Sequence, residues 1–387
     1  MITFPESNFS SEKVKMSIKK FKRNWSGEKK IPIGSLITRP NPLAVYSQKE
    51  LLESNYNNIG FTFPNRIKIH DVNLLNQEKK TIGMICNLLN GNNCFGYVTS
   101  GGTESNFMGL FQGCQRFGDR KKIVVLLTSL THYSVLKATN YLNISVKEIP
   151  LNNQFTMDTN KLEQFLKKTN KKCIIVGTVG YSTTGTCDNI VEINRICKKF
   201  FRKTHIHIDA AYGGFVVPFT NPDFKWDFSL NQIKSISIDA HKTLGVPYPA
   251  GIFVFRKQLS KHDMIEYTGQ IDLTFLGSRP GCSAVAINSA IFSIGKKKLS
   301  KILSRCLKNK CYFINKMELK NGSFIDSYFL PTVAVKVSAL NKINKITEAK
   351  YSLHKFKIKN NAFYSFHFMP FLKKKMIKKL VADLRES

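Results

Sequence analysis

Residues 235–245 read SISIDAHKTLG. Ser235, Ile236, Ser237 and Ile238 alternate polar and apolar, the period of a strand with one buried face. Asp239, Ala240, His241 and Lys242 stand at its end, and Thr243, Leu244 and Gly245 turn the chain. The run THIHIDAAYGG (204–214) has the same construction: an alternating strand ends on Asp209, followed by the small residues Ala210 and Ala211 and the pair Gly213-Gly214. An ammonium and a carboxylate are thus delivered at the ends of consecutive strands.

Outward from these runs the unit repeats as short Ile/Val strand, polar or Gly-rich turn, and amphipathic helix. CFGYVTSGG (94–102) leads into a helix from about Thr103, KKIVVLLTS (121–129) into THYSVLKATNYL (131–142), and KKCIIVGTVG (171–180) into NIVEINRICKKFF (189–201). AGIFVFRK (250–257) closes the series as a further strand. Such alternation predicts an α/β fold with a mostly parallel central sheet wrapped by helices on both faces, its functional groups at the carboxyl ends of strands.

The flanks read differently. Residues 1–54 are polar and basic, with Asn41-Pro42 read as a turn, and are expected to form an extended N-terminal arm. Regular structure is expected to begin with the helix LLNQEKKTIGMICNLLN (74–90), closed by Asn90-Gly91. A large domain is expected over residues 55–274. A smaller C-terminal α+β domain is expected over 275–387, built from SAVAINSAIFSIG (283–295), TVAVKVS (332–338) and FLKKKMIKKLVADL (371–384).

Composition restricts the function classes. The formal charge is +33, which would suit a polyanionic partner. The excess, however, lies in dispersed Lys clusters such as Lys167-Lys168, Lys198-Lys199, Lys296-Lys297-Lys298 and Lys373-Lys374-Lys375. Nucleic-acid readers instead gather Arg and aromatics on one element, so nucleic acid is not the expected partner. The opening residues hold no apolar signal core and no run approaches the roughly 20 apolar residues of a membrane span, which gives a cytoplasmic expectation. The nine cysteines contain no CxxC pair, and reduced thiols are expected, with neither disulfides nor metal.

Four strand ends carry candidate chemistry. In TSGGTESN (99–106), Gly101 and Gly102 bare the backbone at a helix N-terminus, where the amides and the hydroxyls of Ser100 and Thr103 form an anion cradle, or simply a tight helix start. His132, past the strand IVVLLTS, can stack on a planar ligand or cap a helix. Asp209 needs a partner if it is buried; His207 shares its strand face, as a ligand neighbour or as an ordinary core histidine. Lys242 alone would pass for a surface lysine, but at the mouth of a sheet a lysine can form a Schiff base. Taken together, cradle, ring, acid and amine are the set that pyridoxal 5'-phosphate requires.

In order and approximate spacing, GYVTSGGTESN (96–106), THYSVLKA (131–138), IHIDAAYGGFVVPF (206–219), SISIDAHK (235–242) and GSRPG (277–281) resemble the pyridoxal-phosphate-dependent group II amino-acid decarboxylases, of fold type I, from about residue 55 to the C-terminus. GYVTSGGTE and THYS are similar to the short bacterial histidine decarboxylases and plant serine decarboxylases. IDAAYGGFVVPF and Asp239 are similar to the archaeal tyrosine/aspartate decarboxylases.

The resemblance implies decarboxylation of an L-amino acid, with a histidine-type substrate favoured and tyrosine, aspartate or serine as alternatives, by a homodimer. It implies that Lys242 carries the cofactor as a Schiff base, Asp209 meets the pyridine nitrogen, His132 stacks on the ring and borders the substrate, and Ala211 packs on the other face. Ser100, Gly101, Gly102 and Thr103 would shape the phosphate site with His241 beside it, and Arg279 would help shape the site at the subunit interface. Two positions depart from the histidine-type pattern. Gly180-Tyr181-Ser182 replaces Gly-Thr-Thr, so that Tyr181 would narrow the pocket, and Asp239 replaces Ser, a carboxylate that must point away or pair with a cation if it lies beside a phosphate. Competing readings are another fold type I reaction, transamination or carbon-sulfur lysis, and a basic nucleic-acid-binding protein retaining a decayed cofactor site.

Overall fold

The computed structural model describes residues 10–26, 31–60, 74–92, 94–256, 264–265, 270–271, 273–340 and 342–386; Lys257, placed at the end of the AGIFVFRK strand, lies outside them. The central sheet has seven strands: β1 (Cys94–Thr99), β2 (Ile123–Leu127), β3 (Ser145–Glu148), β4 (Lys172–Thr178), β5 (Thr204–Asp209), β6 (Ile233–Asp239) and β7 (Gly251–Arg256). They lie in the order β1-β7-β6-β5-β4-β2-β3. Strands β2 to β6 pair in parallel, and only β7 runs against its neighbours β1 and β6. The carboxyl ends of β1, β2, β4, β5 and β6 therefore open on one edge.

Strand alternation fills both faces. Val124, Leu126, Cys173, Ile175, Ile206, Ile208, Ile236 and Ile238 pack with Leu162, Leu166, Ile190, Ile193 and Ile196, from helices α6 (Thr159–Lys168) and α7 (Ile190–Lys199). The intervening residues Ile123, Val125, Leu127, Ile174 and Val176 pack with Leu110, Cys114, Val135, Ala138 and Leu142, from α4 (Gly102–Phe117) and α5 (Tyr133–Leu142). Each Val, Leu or Ile among them contributes roughly 1.5–3 kcal/mol of burial. The same alternation places His205, His207 and Asp209 on the α4 side of β5. At Gly109 of α4 an added Cβ would lie 2.2 Å from His207 Nδ1, so glycine there lets the helix press onto the strand.

The expectation of an extended N-terminal arm is corrected. Helices α1 (Ser11–Ser26) and α2 (Pro42–Leu52) precede α3 (Leu75–Leu88), and Asn41-Pro42 is a helix start rather than a free turn. Asn41 Oδ1 accepts from the amides of Leu43 and Ala44 at 3.0 and 3.2 Å, and Pro42 fills the first helical position, where its missing N–H costs nothing. Ile33 is fully buried among residues of the C-terminal sheet, tied by the His367 amide to the Ile33 carbonyl at 2.7 Å and by the Gly34 amide to the Tyr351 carbonyl at 3.0 Å.

The C-terminal part holds an antiparallel sheet of β8 (Phe324–Asp326), β9 (Thr332–Lys336), β10 (Lys355–Ile358) and β11 (Asn361–His367), in the order β8-β9-β11-β10. Its apolar face packs on Phe313 of α8 (Gly281–Lys316) and on Ile377, Leu380 and Leu384 of α9 (Lys374–Glu386). Helix α8 breaks at Gly295, whose φ of 66° and ψ of 164° are not helical.

Candidate active site

At the open edge of the sheet lies a cavity of about 390 Å³, within the range of small-molecule sites. Nine of the residues singled out above as cofactor contacts line it, Ser100, Gly101, Gly102, Thr103, His132, Asp209, Ala211, His241 and Lys242, together with Tyr181 and Asp239. The ammonium and the carboxylate of the two opening motifs face one chamber.

The cradle forms where β1 passes into α4. The Ser100 amide donates to Glu104 Oε2 at 2.8 Å, a capping contact that leaves the following amides uncommitted to that side chain, and burial raises the Glu104 carboxyl. A Cβ on Gly102 would lie 3.1 Å from Asp239 Oδ2 and 3.2 Å from Ala211 Cβ. The wall at this point is therefore bare backbone by necessity.

Below the cradle runs a buried polar chain centred on Asn106, which sequence reading passed over. Its Nδ2 donates to Ser134 Oγ and to Asp209 Oδ2, each at 2.9 Å, and Asp209 Oδ1 accepts from the Ala211 amide at 3.1 Å. The Ser134 amide donates to His132 Nδ1 at 3.4 Å, which makes Nδ1 the accepting nitrogen of the ring, with Ser134 Oγ 2.8 Å from it. His132 thus carries its own proton on Nε2. On the other side Asn106 Oδ1 is 3.0 Å from His207 Nε2, and His207 Nδ1 is 2.9 Å from Ser235 Oγ, so His207 is a core histidine with both nitrogens used. Burial lowers His132, with the Asp209 charge opposing, and pushes His207 down to about 4; both rings are neutral at pH 7. His132 also starts α5, where its ring nitrogen accepts from the Ser134 amide at 3.4 Å. Cap and cavity wall are one residue.

Asp239 meets an ammonium and an imidazole instead. Its Oδ2 lies 3.2 Å from Lys242 Nζ and 3.4 Å from His241 Nε2, which is the pairing its position required, while Oδ1 is buried with no hydrogen-bond partner among the described residues. Burial lowers His241, with Asp239 opposing, and the His241 ring lies against Tyr248 with centroids 4.2 Å apart.

Tyr181 lines the cavity, but its hydroxyl turns away from the chamber. It bonds Asp188 Oδ2 at 2.9 Å and Thr128 Oγ1 at 2.9 Å, and the ring packs with Ile325, Ala334, Ile358 and Phe363 of the C-terminal sheet. Burial pushes Asp188 up to about 6 against the amides of Met157 and Thr178. Tyr212 makes a second tie: its hydroxyl is 2.9 Å from Thr332 Oγ1, which is 2.9 Å from His367 Nδ1. Burial, aided by the Lys242 charge, pushes His367 down to about 3. Arg279 is not among the residues lining the cavity of the single chain. It is buried, paired with Glu78 and bonded to the carbonyls of Val98 and Gly60, and so braces β1 and α3 behind the cradle.

The donor set suits pyridoxal phosphate: a glycine cradle with the hydroxyls of Ser100 and Thr103, a carboxylate fixed by two hydrogen bonds, a neutral imidazole and a lysine share one chamber. A doubly wound sheet carrying this set defines a cofactor-dependent enzyme of the aldehyde-binding lysine type. Residues 49–317 match the model of the pyridoxal-dependent decarboxylase conserved domain. A probable L-tyrosine/L-aspartate decarboxylase of Methanothrix thermoacetophila is 30% identical over 311 residues, covering 79% of this chain and 77% of that protein. An L-aspartate/L-glutamate decarboxylase of Pyrococcus horikoshii is 29% identical over 356 residues, 88% of this chain and 89% of that one. In architecture, the L-methionine decarboxylase of a Streptomyces species superposes with a TM-score of 0.86 at 18% identity, over 99% of this chain and 96% of that one. The chain belongs to the pyridoxal-dependent decarboxylase family. It is a carboxy-lyase acting on an amino acid with pyridoxal phosphate as cofactor.

Proposed function

We propose that the amino acid decarboxylated has a neutral, ring-bearing side chain. One observation carries this reading: among the described residues lining the cavity, Lys242 is the only Lys or Arg, and it is already paired with Asp239. A substrate carboxylate beyond the α-position would enter a low-dielectric chamber without a cation, at a cost of several kcal/mol. Leu130, Tyr133 and Tyr248 offer apolar and aromatic surface instead. Histidine, favoured by the sequence motifs, and tyrosine, in the name of the Methanothrix relative, both meet this condition; aspartate and glutamate do not. Screening the common amino acids for carbon dioxide release is the test. At least a tenfold preference for histidine or tyrosine over the acidic pair is expected, and preference for aspartate or glutamate overturns the reading.

In this proposal Lys242 holds the cofactor covalently, Ser100, Gly101, Gly102, Thr103 and His241 surround its phosphate, Asp209 faces the pyridine nitrogen, and His132 and Ala211 contact the two ring faces. When bound, the cofactor supplies the electron sink that lets the α-carboxylate leave as carbon dioxide. Asn106 keeps Asp209 oriented, since both carboxylate oxygens are pinned on the protein side. His132 presents Nε2–H to the substrate side of the ring and is placed to position the substrate or move a proton at the α-carbon.

The domains proposed are an N-terminal segment over 1–54, a cofactor domain over 55–274 and a small domain over 275–387. A cytoplasmic homodimer is also proposed. Exposed Leu43, Tyr46, Leu52, Phe292 and Tyr248 support a second copy covering α2, α8 and the cavity mouth. Light scattering tests this, and a fully active monomer overturns it. No described helix is long and apolar enough to cross a membrane.

A further inference from the structure

A second cavity, of about 300 Å³, opens between α3 and the start of β1, and Cys86 and Cys94 both line it. Cys86 is buried near the end of α3 and Cys94, half-buried, begins β1. The turn between them brings their side chains together. The Gly91 amide donates to the Cys86 carbonyl at 2.9 Å, and Cys94 Sγ lies so close over Gly91 that an added Cβ would be 2.4 Å from it. Both side chains thus border the same small cavity.

A cation faces this pair. The β1–β7 ladder sets Arg256 directly opposite Cys94. Its Nη2 donates to the Phe228 carbonyl, while its buried Nε has no hydrogen-bond partner among the described residues. The neighbouring carboxylate, Asp227, is occupied by Asn90 Nδ2 at 2.8 Å and the Ser229 amide at 3.0 Å. The hydrogen bond from Cys86 and the Arg256 charge lower the Cys94 thiol, whereas the bond to Cys94 and burial raise Cys86. Elsewhere burial pushes Cys114 up to about 11 and Cys173 and Cys306 to about 12, and it raises Cys187, Cys197 and Cys282. A thiol held below its ordinary range beside a second thiol and a guanidinium is the environment of a reactive cysteine.

We propose that Cys94 and Cys86 are a hydroperoxide-reactive pair, Cys94 the nucleophile and Cys86 the thiol that resolves it into an intramolecular disulfide. The Cys94 thiolate attacks one oxygen of hydrogen peroxide, the O–O bond breaks, and the departing hydroxide takes up a proton as water, leaving a sulfenic acid. Cys86 sulfur then attacks Cys94 sulfur, the S–S bond forms, and the hydroxyl leaves with the Cys86 proton as a second water. Overall, two thiols and one peroxide become one disulfide and two waters. The pair lies apart from the cofactor chamber, so the inference is independent of the substrate reading.

The test treats the holoenzyme with hydrogen peroxide and maps chymotryptic peptides under non-reducing conditions; cleavage after Leu88 and Leu89 separates the two cysteines. The expected result is a Cys86–Cys94 crosslink forming before exposed Cys311 is oxidised, with native thiols falling from nine to seven. In Cys86→Ser, Cys94 should be trapped as a sulfenic acid by dimedone; in Cys94→Ser, neither product should form at Cys86. Far-UV circular dichroism confirms that each variant is folded. A Cys94 that stays reduced while Cys311 is consumed, or equal oxidation of Cys86 in Cys94→Ser, overturns the proposal.

Discussion

Asp209 and Asp239 end neighbouring parallel strands, face the same helix and border the same chamber, yet they are held in opposite ways. At the floor, Asp209 is gripped by neutral donors, the Asn106 amide at 2.9 Å and the Ala211 N–H at 3.1 Å. At the mouth, Asp239 is gripped by charge, with Lys242 at 3.2 Å and one oxygen without a hydrogen-bond partner among the described residues. A carboxylate fixed by neutral donors keeps its full charge for a ligand. One fixed by an ammonium gives up its partner when that ammonium becomes bonded elsewhere. Strand position sets where a carboxylate lies, and the neighbours one helical turn away set what it can do.

The contrast can be broken from either side. Lys242→Ala removes the one ammonium among the described residues lining the chamber and should abolish turnover, by at least about 10³-fold, together with the borohydride-trapped peptide containing residue 242; persistence of either contradicts the assignment. Asp209→Ala should lower kcat by about 10²–10³-fold while leaving that trapped peptide in place, since the floor serves the ring and not the lysine.

Acid should strike the floor and the strands behind it first. His207 and His367 are held down near 4 and 3 by burial, below the unfolded value of about 6.5. The unfolded chain therefore binds more protons between these values. Stability is fully present above about pH 6.5 and falls by roughly 1.4 kcal/mol per pH unit for each histidine as pH drops toward 4. Thermal melts between pH 7 and 4 measure it, and His207→Gln should flatten the slope.

Asn106→Ala leaves His207 and Asp209 short of partners inside the fold and should cost about 1–3 kcal/mol in stability. It should also shift the pH profile of kcat, which a purely structural residue would leave in place. The smallest effect belongs to the mouth. Asp239→Asn should tighten inorganic phosphate binding to the cofactor-free chain by about fivefold, roughly 1 kcal/mol at the effective dielectric of a partly exposed site, measured by calorimetry. No change would mean that Asp239 is wholly neutralised by Lys242.

Much of this was legible in the chain because the sheet uses period-two runs of Ile and Val, and a residue at a strand end needs no tertiary information to be placed. Lys242, Asp209, His132 and the Gly101-Gly102 cradle all follow from that rule. Asn106 did not stand out, because an amide on the first turns of a helix looks like any cap-region residue until α4 is pressed onto β5 at Gly109. Strand β3 (Ser145–Glu148) was missed for a different reason: its four exposed residues show no buried face. The reversed direction of β7 is set by pairing, which composition does not encode. Asn41-Pro42 was legible in principle, since Asn before Pro is as much a helix start as a turn, and α2 resolves the choice. Arg279 was placed by likeness rather than by physics, and its partner Glu78, 201 residues away in sequence, could not be read from local pattern.

The burial of Ile33 within the C-terminal sheet has a consequence for how the molecule is made. That hydrophobic nucleus joins Ile33 to residues between 313 and 384, so it cannot close until those later residues have followed Ile33 out of the ribosome, whereas the strands between residues 94 and 256 can pair earlier. Contacts of such long sequence separation form slowly. During that wait the emerging chain exposes Ile33, and later Phe313, without their cover, which makes the interval a point of exposure to aggregation and to chaperone capture.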